Sequence, residues 1–207
     1  MKIVFTKPGL SKTGIAVVTA SAGIKLSSTA DKLDKEIGGA LSRAIRASRF
    51  EGKNGQTLNV IAPSGSKLDR ILLVGLGKAS ELTDLELQKL GGRIYVSTNR
   101  AKKGIVSVAL DAVEGSKMNT SEMAVEIAFG ARLRSYRFDK YKTRLKAKDL
   151  PSIKTLSLAC TGFMSARKKY AGPSKVADGV FFTRDLVSEP PNILYPDTLA
   201  KQAQTLE

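Results

Sequence analysis

The 207 residues carry 34 Lys and Arg against 19 Asp and Glu, a formal net charge of +15, with no histidine and one cysteine. An apolar share of 42% excludes a disordered tail, a lone cysteine excludes an internal disulfide, and no apolar run approaches the ~18 residues a membrane span needs. The lack of histidine removes the commonest general base and metal ligand.

Aromatic residues make up 6% of the chain and Trp is absent, so the core is expected to be aliphatic. The stretch Met1 to Pro8 is too short and too soon interrupted for a signal peptide. Together with the single cysteine this points to a soluble, cytoplasmic protein with no membrane partner.

In chain order, Lys2 to Thr6 and Gly14 to Thr19 are β-branched runs suited to opening strands. A helix is expected from Ser28, its N-cap, with Leu33, Ile37, Leu41 and Ile45 as one apolar stripe. Gly38 and Gly39 fall inside that helix, where close packing would account for them. Gln56 to Ala62 and Leu68 to Val74 read as a hairpin around Pro63-Ser64-Gly65-Ser66, and Arg70 to Val74 as a strand buried on both faces. Thr83 and Glu86 open a helix carrying Leu85, Leu87 and Leu90. Gly104 to Leu110 is a strand, and Asn119 with Glu122 caps a helix bearing Met123, Ala124, Ile127, Ala128 and Ala131. Ile153 to Ala159 is a last strand, followed by a helix from Pro173 to Val187.

That helix presents Val176, Val180, Thr183 and Val187 as a narrow docking face. Phe181, Phe182 and Leu186 then fall off it, for another domain or another copy to cover. Pro190-Pro191 ends the helix, and a further one starts at Pro196 and runs to Glu207. Strands alternating with helices argue for a three-layer α/β domain with a mixed, mostly parallel sheet. The expected organisation is a domain over 1–170, a linker helix over 171–189 and the start of another unit over 190–207.

Three features could carry chemistry. Val74-Gly75-Leu76-Gly77-Lys78 reads as a tight turn, or as half of a phosphate-binding loop with Ser80 where the third glycine should stand. Arg132, Arg134, Arg137, Lys140, Lys142, Arg144, Lys146 and Lys148 interleave with Tyr136, Phe138 and Tyr141. This run is either a solvated loop whose aromatics pack on the domain or a polyanion surface suited to DNA. Cys160 sits in an apolar run and reads as structural. No spacing of Asp, Glu or Cys suggests a catalytic pair or a metal site.

Three segments resemble the leucyl aminopeptidase family of metallopeptidases. They are Ile71 to Lys78 with Glu81-Leu82-Thr83, then Ala128 to Thr143 with its Tyr136, Phe138, Tyr141, Lys142 and Thr143, and Arg184-Asp185-Leu186-Val187-Ser188-Glu189-Pro190-Pro191-Asn192. The resemblance implies a macro-domain-like amino-terminal domain, joined by a long helix to a catalytic domain of the same chain. It implies a hexamer, and two divalent metals, manganese or zinc, held by a lysine, aspartates and a glutamate of the catalytic domain. None of those ligands maps onto this chain, so it is expected to have no cofactor and no peptidase activity of its own. Its role would be to shape the assembly and restrict access to the active sites. Ser188 and Tyr195 depart from the family's junction, where Asn and Thr are usual, and Tyr cannot cap a helix as Thr does.

Overall fold

The computed structural model describes residues 1–100 and 104–206. Its strands are β1 (Lys2–Thr6), β2 (Gly14–Ser21), β3 (Lys25–Leu26), β4 (Thr57–Ile61), β5 (Leu68–Gly75), β6 (Ile105–Leu110) and β7 (Thr155–Cys160). Its helices are α1 (Ser28–Glu36), α2 (Ala40–Arg46), α3 (Asp84–Thr98), α4 (Thr120–Arg134), α5 (Phe163–Lys169), α6 (Ala171–Ser188) and α7 (Pro196–Gln204). The strands form one sheet in the order β1-β7-β6-β2-β5-β4, with β3 paired to β2 off that path. The neighbours from β1 through β5 are all parallel, whereas β4 joins β5 and β3 joins β2 antiparallel.

Strand side chains alternate between faces, so each central strand serves two cores. Ile15 and Val17 of β2, Leu72 and Val74 of β5, Val106 and Val108 of β6, and Leu156 and Leu158 of β7 meet α3, α4 and α5 on one face. Ala16 and Val18 of β2 and Ile71 and Leu73 of β5 meet α1 and α2 on the other. The continuous apolar run Ile71 to Val74 is fully buried because its strand is covered on both sides. The three-layer, mixed, mostly parallel α/β architecture is the expected one.

The first helical stretch differs from expectation. Its N-cap is Ser27, whose hydroxyl accepts from the Ala30 amide, and it breaks into α1 and α2. Gly38 and Gly39 sit at φ +61° and +77°, left-handed geometry no helix interior allows, so they end α1 rather than easing its packing. The stripe survives the break: Leu33, Ile37, Leu41 and Ile45 are all buried in the second core. Asp34 of α1 joins the two helices. Its buried carboxylate accepts from the Leu41 amide at 2.7 Å and the Ser42 amide at 3.1 Å, supplying the cap that Gly39 lacks.

The caps of α3 and α4 are those the sequence indicated: Thr83 accepts from the Glu86 amide, and Asn119 and Glu122 form a reciprocal box. Leu87 and Leu90 are buried, whereas Leu85 is exposed. The two helices pack backbone to backbone through Gly91 and Gly130. Helix α5 is an addition, hidden in the sequence behind the charges of Arg167-Lys168-Lys169; its Ala166 is fully buried. Helix α6 starts two residues earlier than expected, and α7 starts at Pro196 as expected. Helix α7 ends at Gln204 with Thr205 as its C-cap, short of the expected run to Glu207. Among the described residues no helix is long and apolar enough to cross a membrane.

Candidate functional site

The feature with most side-chain chemistry is the contact between α6 and the segment that leaves α4. Helix α4 ends at Arg134 with Ser135 as its C-cap, and the chain then runs back beside α6. Arg132 pairs with Asp178 while its guanidinium lies 5.6 Å from the Phe181 ring centroid. Tyr136 packs on Phe181 with centroids 5.3 Å apart, and its hydroxyl donates to Asp185 at 2.9 Å. Arg184 reaches back, with its guanidinium 5.3 Å from the Tyr136 centroid and one N–H directed to the Leu133 carbonyl oxygen at 3.4 Å. Beyond the end of α6, Glu189 accepts from Lys140 at 2.7 Å and from the Tyr141 hydroxyl.

These contacts set the local electrostatics. The Lys140 ammonium, then the Tyr141 hydroxyl, hold the Glu189 carboxyl below its usual range, and Glu189 in turn raises the Tyr141 phenol. Loss of hydration raises the Tyr136 phenol, with the Asp185 carboxylate adding to the effect. Arg137, then Lys142, lowers the Asp139 carboxyl from distances of 2.7 and 3.0 Å.

The structure thereby divides the basic run. Arg132, Arg137, Lys140 and Lys142 are paired with acidic side chains. Arg134 is exposed at the end of α4, and Arg144, Lys146 and Lys148 are exposed in the loop before β7. These four form no ion pair among the described residues. Tyr136 and Phe138 are half-buried and Tyr141 is more exposed, so the aromatics mainly serve packing.

The docking face of α6 is not the valine stripe. Val176 and Val187 are 57% and 81% exposed, whereas Ala177 is fully buried and Phe181 meets Tyr136. The face that docks is Ser174, Ala177, Asp178, Phe181 and Asp185, whose i, i+3, i+4, i+7 and i+11 spacing was available in the sequence. Scoring only aliphatic residues missed it, because small and charged residues make this contact.

The glycine turn after β5 is closed on the protein's own backbone. The amides of Gly75, Leu76 and Gly77 donate to the carbonyls of Gln56, Ala20 and Gly52 at 2.8 to 2.9 Å, which leaves none of the three for a phosphate. A Cβ on Gly75 would lie 2.1 Å from the Lys53 carbonyl oxygen, so this glycine serves close backbone approach. The N-terminus of α1, which faces the carboxyl ends of β2 and β6, is likewise filled. Asp111 accepts there from the Thr29 amide and hydroxyl, both at 2.8 Å. Burial raises the Asp111 carboxyl, but bonds from Thr29, Ser27 and Ser28 outweigh it and leave the carboxyl below its usual range. Cys160 is buried, and burial pushes its thiol up, away from nucleophile chemistry.

A mixed α/β domain with a long helix strapped to its outer face is thus the class of protein that fold and site define. Residues 17–145 match the N-terminal domain of the cytosol aminopeptidase family, and the chain belongs to that family. A probable cytosol aminopeptidase of a Bradyrhizobium species is 37% identical over 209 residues, covering 100% of this chain and 41% of that protein. One from Caulobacter vibrioides is 39% identical over 197 residues, 94% of this chain and 38% of that protein. Among solved structures, a mutant of tomato leucine aminopeptidase superposes with a TM-score of 0.78 at 25% identity, over 99% of this chain and 41% of that one. The bottromycin maturation enzyme BotP shares the fold, with a TM-score of 0.68 at 23% identity, over 93% of this chain and 36% of that one. The chain therefore spans about two-fifths of the length of the relatives it matches.

Proposed function

We propose that this chain is the amino-terminal part of a metal-dependent aminopeptidase that removes amino-terminal residues from peptides, and that its own role is architectural. In this reading residues 1–170 are the domain, 171–189 a linker helix and 190–207 the start of the catalytic domain. The observation that carries it is the meeting of two segments that resemble the family. Tyr136, Lys140 and Tyr141 of one hold Asp185 and Glu189 of the other, so the helix leaving the domain is fastened at a defined angle.

The two divalent metals of the whole enzyme, manganese or zinc, do not fit the residues present here. The chain has no histidine, and among the described residues no three of Cys, Asp and Glu come together. Their ligands are proposed to lie in the part of the relatives that this chain does not span. The whole protein is proposed to be a cytoplasmic hexamer in which this domain limits access to the active sites.

The test is an assay of the 207-residue chain with leucine p-nitroanilide and added Mn²⁺ or Zn²⁺. No turnover is expected. Turnover that survives repurification and is abolished by a chelator would overturn the reading.

A further inference from the structure

On the outer side of α3 and α4 lies a groove of about 780 Å³, within the ~300–1,000 Å³ usual for small-molecule sites. Lys89 and Arg93 of α3, Arg134 of α4 and Arg184 of α6 line it, with Tyr136 as a wall and no Asp or Glu in the lining. Four cations from three helices converge on one concavity. The nearest carboxylates are already engaged: Glu86 with Lys89 and Asn54, Glu126 with Gln88, and Asp185 with Tyr136.

Two of the guanidiniums are positioned without a direct ion pair among the described residues. Arg93 lies flat on the turn at Gly55, where a Cβ would come within 2.7 Å of its Nε, and it has only a 3.5 Å contact to the Gly55 carbonyl. Arg184 rests its face on Tyr136 and sends one N–H to the Leu133 carbonyl. Their remaining N–H groups stay free for an incoming acceptor, and little side-chain freedom is lost when it binds.

We infer that this groove binds a small multiply charged anion, a phosphate ester or a polycarboxylate, and that the bound anion strengthens the docking of α6. The size of the groove and the gathering of its four cations in one place favour a small ligand over a polynucleotide, which needs an extended basic track. The coupling follows from Arg184: a ligand that uses it binds the docked state of α6 more tightly than the undocked one.

Pyrophosphate and citrate serve as probes, titrated calorimetrically into the 207-residue chain at an ionic strength of about 0.1 M, where the Debye length is about 10 Å. One site is expected, and which probe binds more tightly distinguishes phosphate from carboxylate chemistry. Arg93→Gln combined with Arg134→Gln should weaken it about tenfold or more, as the loss of two charge-assisted contacts implies. Arg144→Gln combined with Lys146→Gln and Lys148→Gln removes more charge from outside the groove and should change affinity less than about twofold, since exposed charges beyond a Debye length are screened. The saturating probe should also slow hydrogen exchange across Phe181 to Asp185. Absence of binding by both probes, equal losses in the two variants, or a single-stranded oligonucleotide that binds far more tightly and depends on Arg144, Lys146 and Lys148 would overturn the site. Binding that leaves exchange in α6 unchanged would overturn the coupling.

Discussion

Gly91 and Gly130 meet across the α3–α4 crossing with no space for a methyl group on either. A Cβ on Gly91 would lie 2.0 Å from the Ile127 carbonyl oxygen, and one on Gly130 1.9 Å from that of Gln88. Each glycine admits the other helix's backbone. Alanine at either position brings ~1 kcal/mol of helix preference but overpacks a backbone contact, which costs ~1–3 kcal/mol or more. Contacts this short belong at the upper end, so Gly91→Ala and Gly130→Ala should each lose about 2 kcal/mol in urea unfolding. Gly179→Ala, with nothing within 4 Å, is the control and should gain ~0.5–1 kcal/mol.

The contact that holds α6 should depend more on its rings than on its charges. The Arg132–Asp178 pair has side chains 28% and 49% exposed, a setting in which ion pairs contribute ~0–1 kcal/mol. The Tyr136–Phe181 pair adds ~0.5–1.5 kcal/mol beyond the area it buries. Phe181→Ala should therefore speed hydrogen exchange over residues 178–188 more than Asp178→Asn does. The reverse order would show that charge holds the helix.

Acid should loosen α1 through Asp111. Its folded carboxyl titrates below the ordinary value of about 3.9, so its contribution is complete above that value and is lost as pH falls through the folded one. Between neutrality and the region below pH ~4, Asp111→Ala should lose less stability than the parent chain. Urea midpoints collected across that range provide the measurement. Parallel acid limbs would mean that Asp111 does not titrate as described.

How far the sequence was legible depends on where each signal is stored. β-Branched runs, apolar runs and local caps are short-range, and they disclosed every strand but β3, the α3 and α4 starts, and the α/β class. Gly38 and Gly39 misled because a glycine in a periodic stripe reads the same whether it eases packing or reverses the chain. Only φ separates the two, and φ depends on Asp34 reaching across to cap α2. The role of the basic run was similarly hidden. Asp139 pairs locally with Arg137 and Lys142, but the carboxylates that fasten the run to α6, Asp178, Asp185 and Glu189, lie some 46 to 49 residues beyond their partners, outside any local pattern. Resemblance to a family singled out both segments, yet nothing in either showed that they touch.

The cations left unpaired by that contact permit a separate test. Arg134, Arg144, Lys146 and Lys148 remain as the polyanion surface proposed from composition. If they bind duplex DNA, affinity falls with salt at a slope of about −0.9 per phosphate neutralised. Charge reversal at Arg144, Lys146 and Lys148 should weaken all DNA sequences alike. Binding indifferent to that reversal would remove the loop from any polyanion role.

Helix α6 has 18 residues and so is ~27 Å long. It is gripped from Ala177 and Asp178 through Phe181 and Asp185, and again just past its end at Glu189. A rod clamped at two separated points behaves as a beam rather than a tether. A tilt of about 5° at Ala177 would carry Ser188, ~16 Å further on, through ~1.4 Å, enough to break the 2.7 Å link from Lys140 to Glu189. The second grip therefore resists rotation that the first alone would permit. Cutting it by Glu189→Gln should widen the range of angles at which the chain leaves the domain while the domain's own stability stays the same.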